Sequence, residues 1–279
     1  MTTPFTYVTK KALDTGESTP SGLWLSSDGL ILFHTGVGSS RIYKYNLSGD
    51  WDISGMILDS YSSVITPPSV GPISLWFKNS TSLAILSSEH ISTYSLLSAW
   101  NISAPSAVAN ASVLYSPTHI PSSACFSSDG TNLYVAYETP GEIRQLTTEW
   151  DLFPISYFTS ISGGFTALIK SVWISTDGLR VYVYSQGTNS IAKITLLTPW
   201  NLASASGIST AYYTFGSIPA EVGISNITSV YLNPREDMMF AIAEDAVLGN
   251  CVFAYTCTSP YPPLPFWTNF HGQTEIIPE

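Results

Sequence analysis

The stretch Ser122–Leu152, SSACFSSDGTNLYVAYETPGEIRQLTTEWDL, decides the fold. An apolar run (Ala124, Cys125, Phe126) reaches the turn Ser128-Asp129-Gly130. A second strand follows over Leu133–Tyr137, then a loop with Pro140 and Gly141. A third strand, Ile143–Leu146, leads to Trp150-Asp151. Asp in such a turn accepts nearby backbone N–H groups and Gly tolerates positive φ, so Asp-Gly suits a tight hairpin.

Both landmarks recur. The turn repeats at Asp28-Gly29, Asn79-Ser80, Asp129-Gly130, Asp177-Gly178 and Arg235-Glu236, in steps of 51, 50, 48 and 58 residues. The aromatic landmark repeats as Trp51-Asp52-Ile53, Trp100-Asn101-Ile102, Trp150-Asp151-Leu152 and Trp200-Asn201-Leu202, in steps of 49, 50 and 50. Each unit reads as four strands, and four strands at a period near 50 is the signature of a propeller blade. Strand four is expected in MILDSYS, SVLYS, ISYFTSI and AYYTFG.

The ends complete the count. TSPY, ending at Tyr261, stands where a fifth Trp would, but PPLP follows, and Pro cannot donate to a strand ladder. Phe5–Ala12 (FTYVTKKA) begins where a fourth strand should. The expected fold is therefore all-β, a five-bladed β-propeller whose last blade is closed by the N-terminal strand. The propeller is assigned to residues 1–261 and a Pro/aromatic-rich tail to 262–279. Two regions break the period: a longer connection over Tyr212–Ser229, and the tail.

Composition narrows the function. Charged residues make up 11% of the chain and the formal net charge is −10, with 10 Lys+Arg against 20 Asp+Glu. No basic cluster exists for tracking phosphates, so nucleic acid is not an expected partner. Residues 1–14 lack an apolar core of signal-peptide length, and no stretch approaches 18 apolar residues, so neither an export signal nor a membrane span is expected. Cys251 and Cys257 sit six apart in one expected strand, roughly 20 Å at about 3.3 Å per residue, too far for a disulfide. With Cys125 they read as small buried apolar groups.

Candidate site residues divide into three sets. Asp28, Asp129, Asp177 and Trp51, Trp100, Trp150, Trp200 follow the repeat register and read as structural, the Trp packing between blades and the following Asp or Asn tying down the turn. Trp24, Trp76 and Trp173 lie on the innermost strands and read as core. A ligand mouth is expected from Glu138 and Glu244, which share a loop position after strand two in blades three and five and face one mouth of the ring without being adjacent neighbours, and from Tyr212 and Tyr213. Glu89, Glu221 and Asp245 are further acids off the repeat turns, and the innermost strands carry no Asp or Glu. A glycosidase needs two carboxyls about 5–9.5 Å apart. His34, His90, His119 and His271 show no metal-ligand spacing, and no cofactor is expected. The tail supplies Tyr261, Phe266, Trp267 and Phe270, aromatic anchors of the kind found at interface hot spots. They either bind a partner or fold back over the ring.

The motif S-S-D-G-T-x-L-Y-V, then x-I-x-x-L, then T-x-W-D-L, resembles a repeat of propeller proteins from bacteria and their phages, S-x-D-G…Y-V…T-x-W-D-I/L. Copies three and four carry it best, copy two departs at Asn79-Ser80, and copy five lacks both Asp-Gly and Trp. The resemblance implies a propeller. Many such proteins are phage structural or adhesion components and others sit on cell surfaces. The expectation is a non-enzymatic virion protein (capsid decoration or tail component) with copies of itself, other virion proteins or a host glycan as partners. The alternatives are a lectin-like propeller and a glycosidase.

Overall fold

A computed structural model of the chain describes residues 5–13, 16–64, 71–88, 90–103, 105–113, 119–139, 141–147, 156–162, 168–215, 224–257, 267–268 and 274–275. The strands form five four-stranded antiparallel sheets, the blades of a β-propeller. Blade one is β2 (Pro20–Leu25), β3 (Ile31–Gly36), β4 (Arg41–Asn46) and β5 (Ile57–Tyr61). Blade two is β6 (Ser74–Asn79), β7 (Ser82–Leu86), β8 (His90–Ser95) and β9 (Ser106–Val113). Blade three is β10 (Pro121–Phe126), β11 (Asn132–Tyr137), β12 (Glu142–Thr147) and β13 (Ser156–Ser162). Blade four is β14 (Ile169–Ile174), β15 (Arg180–Ser185), β16 (Ser190–Leu196) and β17 (Ala205–Thr214). Blade five is β18 (Ile224–Leu232), β19 (Met238–Asp245), β20 (Gly249–Cys257) and, from the other end of the chain, β1 (Phe5–Ala12).

The closing strand is the one expected. β1 runs antiparallel to β20 from Phe5↔Cys257 to Ala12↔Cys251, with one bulge between Tyr7 and Thr9. Phe5 is buried and meets Tyr212 and Tyr213 edge-on at 5.9 and 5.2 Å. Lys10 pairs with Asp245 at 2.6 Å, and Leu13 N–H donates to the Asn250 carbonyl at 2.9 Å. A small hairpin, β21 (Trp267–Thr268) with β22 (Thr274–Glu275), lies in the tail. No helix among the described residues is long and apolar enough to cross a membrane.

Two expectations on strands need correction. Strand four of blade two is β9, Ser106–Val113, which begins six residues before SVLYS and overlaps it at Ser112–Val113. Its small residues (Ala107, Val108, Ala109, Ala111) give no strong apolar pattern. The proposed connection Tyr212–Ser229 is sheet at both ends: Tyr212–Thr214 ends β17 and Ile224–Ser229 begins β18. The cysteines behave as expected. All are free, Cys125 and Cys251 are buried, and Cys257 is partly so. Burial pushes the thiols of Cys251 and Cys257 up to about 11, which keeps them protonated and inert.

The lower face of the ring carries the Asp-Gly and Trp turns, and here the repeat has a physical cause. Asp28 Oδ1 accepts from Ser26 Oγ at 2.5 Å and Leu30 N at 3.0 Å. Asp129 and Asp177 repeat the pattern with Ser127 and Thr131, and with Ser175 and Leu179. Trp51 N donates to the Gly29 carbonyl and Trp200 N to that of Gly178, both at 2.9 Å. The indole then lies on the glycine: a Cβ built on Gly29 would sit 2.5 Å from Trp51 Cε2. Trp51, Trp100 and Trp200 all adopt the left-handed backbone (φ 62°, 58° and 61°), a conformation that disfavours bulky residues. Where Ser80 replaces the glycine, the Trp100 ring packs instead with Trp24, Phe33 and Phe77 of blades one and two. Trp51 meets Phe240 of blade five. Asp52, Asn101 and Asn201 tie down their turns through the N–H groups of Ser54, Ser103 and Ala203. Trp150 lies outside the described residues.

Blade five has no Trp, and Glu236 (φ 58°) takes the glycine's place. Its carboxylate is gripped across the blade boundary by Arg180 (2.7 and 3.0 Å) and by the Tyr182 hydroxyl (2.5 Å). Arg180 also reaches Asp177 at 2.9 Å. Burial alone would lower the Arg180 pKa, but Glu236 and Asp177 outweigh it and raise it.

Gly29→Ala should cost about 1–3 kcal/mol by combining positive φ with a clash against Trp51, while Gly207→Ala, with open space around it, should stay within about 0.5 kcal/mol. Denaturant unfolding of the two variants checks this. Phe5→Ala should cost about 3–5 kcal/mol, measured the same way, because the ring closes on that side chain.

Candidate functional site

The channel strands β2, β6, β10, β14 and β18 align through Leu23, Leu75, Ala124, Val172 and Val230, which pair with His34, Ile85, Val135, Val183 and Ala241 on the neighbouring strand. The residue before each is Gly22, Ser74, Ser123, Ser171 and Ser229. Three of these serines join blades. Ser123 Oγ accepts from Val172 N at 3.2 Å, and Ser229 Oγ accepts from Leu23 N at 3.1 Å. Ser171 Oγ donates to the Val230 carbonyl at 2.8 Å and accepts from Val230 N at 3.3 Å. Blade one departs. A Cβ on Gly22 would meet the Ile73 carbonyl, Ser74 Cα and Thr35 Oγ1, each at 2.7 Å. Thr35 Oγ1 fills the serine's role, donating to the Ile73 carbonyl at 3.2 Å and bonding Ser21 Oγ at 3.0 Å.

The same blade holds a second departure. His34 occupies a position filled elsewhere by Ile, Val, Val and Ala, and it is fully buried. Its ring stacks on Tyr43 at 4.8 Å and 14°, and Nδ1 lies 3.1 Å from the Thr35 carbonyl. Nε2 has no hydrogen-bond partner among the described residues. Desolvation lowers its pKa to about 4 against the ordinary 6.5, the Thr35 carbonyl opposing.

The upper face carries the loops between strands two and three and the connections into the channel strands. Among the described residues, its carboxylates are each engaged. Glu17 Oε1 accepts from Thr19 N (2.9 Å) and Gly38 N (3.2 Å), and Oε2 from Ser39 N (3.0 Å). Burial would push its carboxyl up, but the Ser39 and Thr19 donors outweigh that and hold it below the ordinary value. Asp245 is held low chiefly by Lys10, then by the Leu248 and Val247 amides. Glu142 accepts from Arg144 Nε at 3.1 Å and lies 3.2 Å from His119 Nε2. Arg144 rests over the Tyr137 ring at 4.9 Å. Burial opposes the ionised form of Glu142, yet Arg144, Ser160 and His119 together hold its pKa low.

The expected ligand mouth does not assemble. Glu138 of blade three pairs with Lys170 of blade four. Glu244 is not on a loop but within β19, where its carboxylate accepts from Asn226 Nδ2 at 2.7 Å. Blade four separates the two acids. Tyr212 and Tyr213 are not at the mouth either. Tyr213 is buried against Phe5, Phe215 and Tyr255, and Tyr212 lies beside Phe5, Tyr182 and Lys193. Ring closure draws both onto the seam between blades four and five. Glu89, Glu221, His271, Tyr261, Phe266 and Phe270 lie outside the described residues, as does the side chain of Trp267. No cluster of three metal-ligating residues occurs among the described residues.

Sequence reasoning overlooked Glu17, Glu142 with His119, and the channel hydroxyls. The signal for the last was present as a serine at one register position in four of five channel strands. It becomes visible only once the strands are aligned.

His34 gives a pH prediction with a definite sign. Its folded pKa lies below its unfolded value, so its share of stability is complete above pH 6.5 and falls away toward pH 4, by up to about 3 kcal/mol. His34→Val should flatten the stability profile across that window, read by chemical unfolding at stepped pH.

No protein-family model matches the chain, and no curated protein matches it in sequence. Solved structures do match in shape. A luciferin-regenerating enzyme superposes with a TM-score of 0.56 at 10% identity, covering 90% of this chain and 96% of that one. The Cps50 (Swd1) β-propeller domain of Myceliophteria thermophila superposes with a TM-score of 0.51 at 10% identity, covering 86% and 83%. At such identities the likeness is one of fold: this chain is a five-bladed β-propeller.

Proposed function

We propose that the protein is a non-enzymatic scaffold of a phage particle, a capsid-decoration or tail/adhesion component, that binds copies of itself or other virion proteins through the outer strands of its ring. The observation that carries this reading is the chemistry of the rim. β9, β13 and β17 are edge strands without a single charged residue, and β13 exposes Tyr157 (61%) and Phe158 (50%). β5 adds Ile57 (71% exposed) and Tyr61 (52%). Edge strands that must stay solitary are ordinarily blunted by charge, Pro or covering segments. Charge-free edges with large exposed side chains favour pairing with a neighbour. The virion setting rests on the resemblance of the repeat.

A lectin-like propeller is the second reading. Its support is the pairing of exposed rings with cations, Arg41 over Tyr61 at 4.6 Å and Arg144 beside Tyr157 at 5.9 Å. A glycosidase acting through Glu138 and Glu244 has the least support, since Lys170 and Asn226 already hold those carboxylates on non-adjacent blades.

The purified chain should self-associate or coat particles, and Tyr157→Lys with Phe158→Lys should weaken that at least about tenfold with Tm little changed, because a charged edge opposes pairing. Sedimentation and particle co-pelleting measure it. A chain that stays monomeric and fails to pellet counts against the scaffold. Glycan-array binding that survives both lysines but is lost in Tyr61→Ala would favour the lectin.

A further inference from the structure

Blade one is joined to blade two by a different chemistry from that of the serine seams. Blades three and four, four and five, and five and one each meet through a serine hydroxyl on a backbone amide: Ser123 on Val172, Ser171 on Val230, Ser229 on Leu23. Between blades one and two the serine's place is Gly22, where a Cβ would lie 2.7 Å from the Ile73 carbonyl and from Ser74 Cα. The join passes instead to hydroxyls on carbonyls. Thr35 Oγ1 donates to Ile73 at 3.2 Å and Ser21 Oγ to Pro72 at 3.4 Å.

His34 stands directly beside this join. In the neutral ring Nδ1–H donates to the Thr35 carbonyl, which leaves Nε2 as the bare acceptor. The ring is fully buried, stacked on Tyr43 and 5.9 Å from Tyr45. Protonation would place a charge and an unpaired N–H donor at Nε2, in a register where the other blades carry Ile85, Val135, Val183 and Ala241. Little around it offsets that cost. Tyr43 and Tyr45 face it from β4, with Tyr61 and Arg41 beyond Tyr43. Glu17, ahead of β2, favours the imidazolium through its field, but its carboxylate is already committed to the Thr19, Gly38 and Ser39 amides. Blade two meets blade one here through Pro72, Ile73 and Ser74, and blade five through Ser229, none of them titratable.

We propose that blade one is an acid-operated gate: on protonation of His34 it opens as a unit along its seam with blade two, while blades three and four stay closed. Opening lets the imidazolium reach water, and loss of the proton lets the blade close again. Proteins open in such cooperative units at a lower cost than global unfolding. The gate stands independently of the scaffold reading.

Hydrogen–deuterium exchange on the full-length chain between pH 7 and pH 5, corrected for the intrinsic pH dependence of amide exchange, tests it. Carboxylates stay largely ionised over that range. The central strands report on their blades: residues 31–36 for blade one, 132–137 for three and 180–185 for four. Opening of 31–36 should rise about twentyfold from pH 7 to pH 5, because one proton is taken up on opening, while 132–137 and 180–185 hold level. His34→Val installs the residue that blades three and four carry there, and His34→Phe keeps a ring on Tyr43. Both should abolish the rise. A rise shared equally by all three strands would mean that the proton acts only on global unfolding, and it overturns the gate. So does a parent without a rise, or a rise that survives in either variant.

Discussion

Each blade of this protein is apolar on both faces, and the ring follows from that constraint. β2 and β10 are buried along their whole length, and β3, β11 and β15 nearly so. A sheet of this kind cannot leave either face to water, so every blade needs two neighbours. Closure supplies them without an end blade. Burial relaxes only at the periphery, where β5 alternates between exposed and half-buried. The serines of the channel answer the remaining difficulty. The innermost strands bring their backbone edges together where little water reaches, and Ser123, Ser171 and Ser229 bond across the gaps.

The scarce charges serve the same end. Arg180 and Glu236 join blades four and five, Glu138 and Lys170 join three and four, and Lys10 and Asp245 fasten the closing strand. One of these residues stands where the repeat has failed. Glu236 holds the glycine's place in the one blade without a Trp, and the missing indole leaves room there for a side chain. Gly22 and Thr35 show a comparable exchange, in which removing a side chain from one strand admits a hydroxyl from the next.

The ring was legible in the sequence because its two landmarks are local and costly to change. Asp-Gly needs positive φ, and the indole needs a bare Cα beneath it, so both persist at one period. The outer strands carry no such demand. The residues of β9 (SAVANASV) are mostly small and give no strong apolar pattern, so its start could not be read. Tyr212 and Tyr213 fall in the expected strand AYYTFG, but their packing could not be read because their partner, Phe5, lies some two hundred positions earlier in the chain. Glu244 departs from its expected place for a related reason. Glu244 follows an apolar run and resembles a loop entry, yet its pairing with Asn250 keeps it in the ladder. His34 could be recognised as buried only after its register with Ile85, Val135 and Val183 was known.

The clasp between β1 and β20 also bears on how the molecule comes into being. Its Lys10–Asp245 contact spans 235 residues. Contacts of such separation form late, since their chain entropy is lost before they return anything. At about 5–20 residues per second, the first strand emerges from a ribosome roughly 10–50 s before its partner exists. Through that interval the nascent protein is an open arc, with the apolar faces of its terminal blades in contact with solvent. Chaperone occupancy during synthesis should therefore rise with each blade and fall only as the last one is released. Once shut, the ring can open only by peeling both ends of the chain from each other, so its lifetime is set by an unfolding barrier more than by its equilibrium stability.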